Sequence, residues 1–152
     1  MTPTKIKTRV LLEKVAWIRR MLDSMRQLPA DSFSGFRQDP RNIAAMESFL
    51  RRALEALLDL GRHILAKRFG EGVVEYKAIA TALGEREVLS PGSVAILVEM
   101  AGYRNRLTHF YNEVTAEELY EILTTRTGDI ETVLDEILAW VRSHPQAVDD
   151  AL

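Results

Sequence analysis

Between Pro40 and about Arg68 the chain offers almost nothing that would stop a helix. Asp39 stands before this run as an N-cap. Pro40 takes the first helical position, where its missing N–H costs nothing and its fixed φ suits the helix. Ile43, Met46, Leu50, Leu54, Leu57, Leu58, Ile64 and Leu65 supply one apolar stripe. Gly61 is the single weak point, worth about 1 kcal/mol against alanine. The rest of the chain is punctuated in the same way. From Lys5 to Gln27, the residues Val10, Leu11, Val15, Ile18, Leu22 and Met25 recur mostly three or four apart. Residues 28 to 39, LPADSFSGFRQD, are expected to form a polar loop in which Phe33 and Phe36 pack under the bundle. A short helix is expected near Tyr76 to Leu83. The stretch SPGS at 90 to 93 opens another helix, and Thr115 with Glu118 has capping-box spacing for the next. Gly128 is expected to interrupt that one. Ile130 to Val141 then carry a last apolar face to a stop at His144 and Pro145. No strand-like alternation with hairpin turns occurs. The expected fold is all-α, an up-and-down bundle of four long helices plus a short helix, with residues 1–152 as a single domain.

Composition narrows the function. The 152 residues suit one core, and 47% hydrophobic with 28% charged residues is ordinary for a globular protein. No apolar run approaches the ~18 residues that cross a bilayer, so no membrane partner is expected. The N-terminal MTPTKIKTRVLLEK has neither an uninterrupted apolar region nor a small-residue cleavage site, which argues against export. The absence of cysteine excludes disulfide scaffolds and thiol chemistry and fits a cytoplasmic protein. The net charge of −2 argues against a protein that grips duplex nucleic acid through many phosphates, but not against a small site touching one or two.

One stretch raises a choice between a solvated helix end and a reaction site. The apolar run VAILVEMAGY leads into RNRLTHFY at 104 to 111, where a helix leaving a core would ordinarily take up Lys and Glu. Arg104 offers a planar fork of donors that fits a phosphate. His109 can exchange a proton near neutral pH. Each residue alone has a plain explanation, a solvated arginine and a histidine on the helix dipole. Arg104 and Tyr111 are seven apart and would share a face of a regular helix. Arg104 and His109, five apart, lie about 140° around the axis from each other. A straight helix does not aim that pair at one point. Convergence needs the reach of arginine, a loosened last turn, or a matching helix across a two-fold axis. Asn105 is four residues before His109 and could orient its ring or hold a phosphate oxygen.

The sequence GYRNRLTHFY resembles the Arg-x4-His-x-Tyr signature of the HepT-like toxins of the HEPN ribonuclease superfamily, with Arg104, Asn105, His109 and Tyr111 in the signature places. The resemblance extends through MESFLRRALEALLDLGRHILAKRFG and through EYKAIATALGE to the helix after the motif, covering residues 43 to 142. It implies a metal-independent endoribonuclease acting on RNA (tRNA or mRNA), needing no cofactor, and working as a homodimer with both motifs in one cleft. In that setting Arg104 and His109 would be catalytic, with Asn105 positioning the phosphate. The product would carry a 2′,3′-cyclic phosphate. The resemblance further implies that Tyr111 is modified with AMP by an MntA-type nucleotidyltransferase antitoxin. Each added phosphate would block the cleft and repel RNA.

A non-catalytic helical scaffold for a nucleotidyltransferase, or an antitoxin restraining one, is the competing class of function. Elsewhere, Asp59 and His63 have metal-like spacing but no further ligand in the pattern, so a surface ion pair is expected. Glu85, Arg86 and Glu87 are expected to form a turn of solvated charges.

Overall fold

Helix α3 (Pro40–Phe69) is the axis around which the computed structural model is built, and residues 2 to 150 are described. It begins where the sequence indicates, with the Asp39 carboxylate accepting the Arg41 N–H at 2.9 Å and Pro40 in the first turn. It ends at Gly70, whose φ of 65° is the left-handed conformation that lets its N–H return to the Leu65 carbonyl. Helix α1 (Thr8–Arg26) lies along it, and α4 (Tyr76–Glu85), α5 (Pro91–His109) and α6 (Ala116–Thr125) also pack on it. Helix α7 (Thr127–Ser143) closes the bundle against α5 and α6. Leu50, Leu54, Leu57, Leu58 and Ile64 of α3 are fully buried, with Ile18, Ile79, Leu97, Leu119, Ile130 and Ile137 from the other helices. The architecture is the all-α up-and-down bundle, with α1, α3, α5 and α7 as its four long members. Among the described residues no helix is long and apolar enough to cross a membrane.

The short elements differ from expectation in three places. Residues 33 to 38 form a helix, α2 (Phe33–Gln38), rather than a loop. Ser32 caps it by accepting the Gly35 N–H, and it is stapled by Phe33 and Phe36, whose rings lie 5.5 and 5.6 Å from the Tyr120 ring. The break after α6 falls at Arg126, not Gly128, which sits within the first turn of α7. Arg126 makes that corner, its guanidinium holding Glu99 of α5 at 2.9 and 3.0 Å and Asp129 of α7 at 2.5 Å. Arg86, expected to be solvated, pairs with Glu71 and lies over the Phe69 ring.

Gly61 has a different role from the one its helix propensity suggests. A Cβ there would sit 2.8 Å from Leu83 Cδ1 and 3.0 Å from Ile79 Cγ2, so glycine is what lets α4 approach α3. Gly61→Ala is therefore expected to destabilise the fold by about 1–3 kcal/mol through overpacking. Gly128→Ala, with nothing within 4 Å of its Cβ, should be neutral or stabilising by up to about 1 kcal/mol. Paired chemical-denaturation curves check the opposite signs.

The two ends of the described chain are tied together. Ile6 and Val148 form a parallel bridge, with the Ile6 N–H donating to Ala147 O at 2.8 Å and the Asp149 N–H to Ile6 O at 2.9 Å. Thr8 donates its N–H to the Asp149 carboxylate at 2.9 Å, which satisfies a donor in the first turn of α1. His63 Nε2 accepts the Lys7 N–H at 3.1 Å. Burial and the neighbouring Lys67 and Lys7 hold its pKa below the usual histidine value, which keeps that nitrogen free to accept. Asp59 does not pair with His63. Its carboxylate binds Arg62 at 3.1 Å and accepts the Tyr76 hydroxyl at 3.1 Å.

Candidate active site

Arg104, Asn105 and His109 lie in the last two turns of α5, and all three line an open cleft. The helix stops at His109. Phe110 leaves helical geometry at φ −136°, ψ 43°, and its N–H still returns to Arg106 O at 2.8 Å. Residues Tyr111–Glu113 then form a single 3-10 turn. Tyr111 consequently leaves the helix register, so the expectation that it shares a helical face with Arg104 is corrected.

The two arginines of RNRLTHFY have separate duties. Arg106 is a clamp. Its guanidinium grips the Glu118 carboxylate at 2.7 and 3.0 Å and donates to the Glu113 carbonyl at 3.0 Å, so it ties α5 to the 3-10 turn and to α6. Thr115 caps α6 beside it by accepting the Glu118 N–H at 3.1 Å. The hydrogen bond from Arg106 holds the Glu118 carboxyl below its usual range. A depressed carboxylate stabilises the fold above its ordinary unfolded value, about 4.3. It loses that contribution as pH falls through the lower folded value. Glu118→Gln should therefore cost about 1 kcal/mol near neutral pH. The gap between variant and parent should narrow in melts taken progressively below pH 4.

Arg104 faces the other way. Its Nε donates to Glu55 of α3 at 3.3 Å, its Nη1 donates to Asn105 Oδ1 at 3.3 Å, and its guanidinium carbon sits 4.5 Å from the centre of the Tyr76 ring. The side chain is only 19% exposed, so it is a held cation rather than a solvated one. Tyr76 is itself fixed, its hydroxyl donating to Asp59 and Arg62 lying 5.0 Å from its ring. Arg62 in turn donates to the Val73 and Val74 carbonyls at 3.3 and 2.8 Å, which pins the α3–α4 connection to the rim. Burial is the main cause that raises the Tyr76 phenol above its usual value, so it stays a neutral hydrogen-bond donor.

Arg104, Asn105 and His109 line one open cleft of about 450 Å3, together with Arg62, Tyr76 and Phe110. Arg104 and His109 border the same cleft although a straight helix does not aim them at one point. The cleft is broad enough to take both side chains, and α5 ends as His109 enters it. The Asn105 side-chain oxygen accepts from Arg104, which places the two side chains against each other. His109 is exposed, its ring edge-on to Phe110 at 6.4 Å. Tyr111 is 65% exposed beside it and is not part of the cleft wall. Glu55, Arg62 and Tyr76 were not legible as site residues. They arrive from α3 and α4, and nothing local in their sequence sets them apart from ordinary helix positions.

A larger hollow of about 620 Å3 lies elsewhere, lined in part by Glu136, Trp140 and His144. Two of its polar residues are engaged: Glu136 accepts from the Ser90 N–H and the Ser93 hydroxyl, and His144 stacks on Trp140 at 4.3 Å. It has the character of a structural joint.

The comparison with known proteins places the family and the fold. Residues 12–137 match the family model described as ribonuclease HepT-like. The tRNA nuclease HepT of Aphanizomenon flos-aquae is 24% identical over 118 residues, covering 77% of this chain and 80% of that protein. The mRNA nuclease HepT of Shewanella oneidensis is 25% identical over 130 residues, covering 86% and 97%. Among solved structures, the tri-AMPylated Shewanella oneidensis HEPN toxin in complex with MNT antitoxin superposes with a TM-score of 0.78 at 25% identity. That match covers 86% of this chain and 97% of the toxin. YutE, a cytosolic protein of Bacillus subtilis, shares the fold at a TM-score of 0.78 and 16% identity, over 96% of this chain and 99% of YutE. With 126 of its residues spanned by the family model and the same helical architecture, the chain belongs to the HepT-like ribonuclease family.

Proposed function

We propose that this chain is the endoribonuclease toxin of a toxin–antitoxin pair, a single cytoplasmic helical domain that cleaves tRNA or mRNA. The observation that carries the reading is the cleft itself. A held arginine, an asparagine hydrogen-bonded to it and a free-standing histidine line one open wall. In the proposed reaction His109 takes the proton of a ribose 2′-OH. The 2′ oxygen bonds to the adjacent phosphorus and the bond to the 5′ oxygen breaks. Arg104 meets the charge that grows on the phosphorane oxygens. The leaving 5′ oxygen takes its proton from a second histidine, that of the other copy in a homodimer, and the product is a 2′,3′-cyclic phosphate. Arginine and histidine supply the charge and the proton, so no metal enters the scheme. Purified protein with end-labelled RNA in EDTA tests the reading, with cyclic-phosphate-ended fragments expected. Intact RNA after prolonged incubation would sink it.

Silencing is assigned to Tyr111. The hydroxyl stands at the rim on an exposed side chain and makes no hydrogen bond to another described residue, so a partner nucleotidyltransferase can reach it. Transfer forms a bond between the phenolic oxygen and the phosphorus of AMP and releases pyrophosphate from ATP. Support comes from the relative that carries AMP groups in complex with its MNT antitoxin. Coproduction with the cognate transferase should add one or more AMP masses to the intact protein. Tyr111→Phe should gain none and should remain an active nuclease in the transferase's presence.

A further inference from the structure

The net charge of −2 conceals a division along the chain. Residues 1 to 69 hold 14 Lys and Arg against 7 Asp and Glu, whereas residues 70 to 152 hold 6 against 15. In the fold, much of the cationic excess lies on the paired helices α1 and α3, where Arg20 and Arg52 are exposed. Between the two helices lies a shallow depression of about 230 Å3, lined by Lys14, Trp17, Arg52, Glu55, Ala56 and Asp59. Trp17 is 36% exposed there, and the Arg20 guanidinium sits 5.6 Å from its ring centre.

The carboxylates of this depression do not make it acidic. Glu55 is taken by Arg51 and Arg104, and Asp59 by Arg62, with Lys14 4.0 Å away. Arg20 and Arg52 have no carboxylate partner among the described residues. The same two carboxylates hold Arg104 and Tyr76 of the cleft, so depression and cleft share a wall.

Resting on the ribonuclease reading, we infer that single-stranded RNA passes from the cleft over Glu55 and Asp59 into this depression. One base stacks on Trp17, and backbone phosphates meet Arg20 and Arg52. An exposed indole beside unpaired guanidiniums is the arrangement that holds single strands, each stacked base contributing about 1–3 kcal/mol. A regular duplex offers no free base face to the indole. The slightly negative net charge is thereby reconciled with an RNA substrate, because binding is local to one face.

Trp17→Ala and the exposed-site Arg52→Gln are compared with the parent in cleavage of a 20-nucleotide single strand and of a diribonucleotide that spans only the scissile bond. The expected result is a KM on the long strand raised about tenfold for Trp17→Ala. The salt dependence of its binding should flatten by nearly one unit of slope for Arg52→Gln. The loss should be confined to the long strand, and Trp17→Phe should restore part of it. Parent-like KM and salt slope in both variants, alongside an active parent, would overturn the path alone. So would a shift from dimer to monomer in Trp17→Ala, which assigns the face to contact between copies. A parent that neither binds nor cleaves RNA would overturn the ribonuclease reading and this inference together.

Discussion

Replacing His109 with alanine is expected to lower the rate of RNA cleavage between a hundredfold and ten-thousandfold, the range that a positioned acid–base group supplies. The fold should not notice. His109 is exposed at the last position of α5, and its ring contact is an edge-on approach to Phe110 at 6.4 Å, itself 53% exposed. Substitutions at such surface positions ordinarily change stability by less than about 0.5 kcal/mol. RNA affinity should also persist, because the cations that would meet the backbone lie on other side chains. Single-turnover cleavage with saturating enzyme, beside thermal melts and a binding titration, separates the three quantities. A variant that cleaves at the parental rate would remove His109 from the reaction. A variant that loses binding with cleavage would recast it as a contact residue.

Arg104→Lys is expected to reduce the cleavage rate about a hundredfold or more, although the charge is kept. The side chain is held by a set of contacts that depend on a planar fork: Glu55 at Nε, Asn105 at Nη1, and the face of Tyr76 under the guanidinium. Lysine brings a point charge on a flexible stem and can satisfy at most part of that set. The deficit should lie in kcat, since the lost donors matter most where negative charge grows on the phosphorane. Tyr76→Leu offers a graded companion. It removes the platform but not the fork, so a smaller loss with Arg104 still present marks Tyr76 as a positioning residue. Equal rates for Arg104→Lys and parent would show that charge alone suffices.

Most of the bundle was readable because long helices announce themselves twice, by an apolar period and by caps. Asp39-Pro40, Ser90-Pro91 and Thr115 each cap the helix they precede. Helix α2 was not readable: six residues are too few to display a period, and its FSGFRQ holds only two large apolar residues. Its order comes from Tyr120, about 90 residues away. Gly61 misled for a related reason, since propensity registers the cost of glycine within one helix and is blind to the α4 side chains against it. At the site, Arg104, Asn105, His109 and Tyr111 were singled out by the resemblance of their signature, because their spacing alone left a solvated helix end ahead. Glu55, Arg62 and Tyr76 were not, because their value lies in which side of α3 and α4 faces the end of α5. The signature singled out Arg104 but gave Arg106 no task; the fold turns Arg106 toward Glu118 and Arg104 toward the cleft.

The knot of contacts at Ile6, Thr8, His63 and Val148 sets an order of events during synthesis. The first turn of α1 receives a hydrogen-bond partner from Asp149, which lies 141 residues further along the chain. Contacts of such separation close late, because loop entropy must be overcome before they return anything. A ribosome-bound chain can therefore pack α3 against α4 and α5 while α1 still lacks that partner. The motif turn at 104 to 111 emerges before the last ties form. For a protein proposed to be harmful when free, this leaves an interval in which Tyr111 is already displayed but the bundle is not yet locked. Under the proposed silencing, a transferase acting on nascent chains would meet Tyr111 before the bundle is mechanically complete.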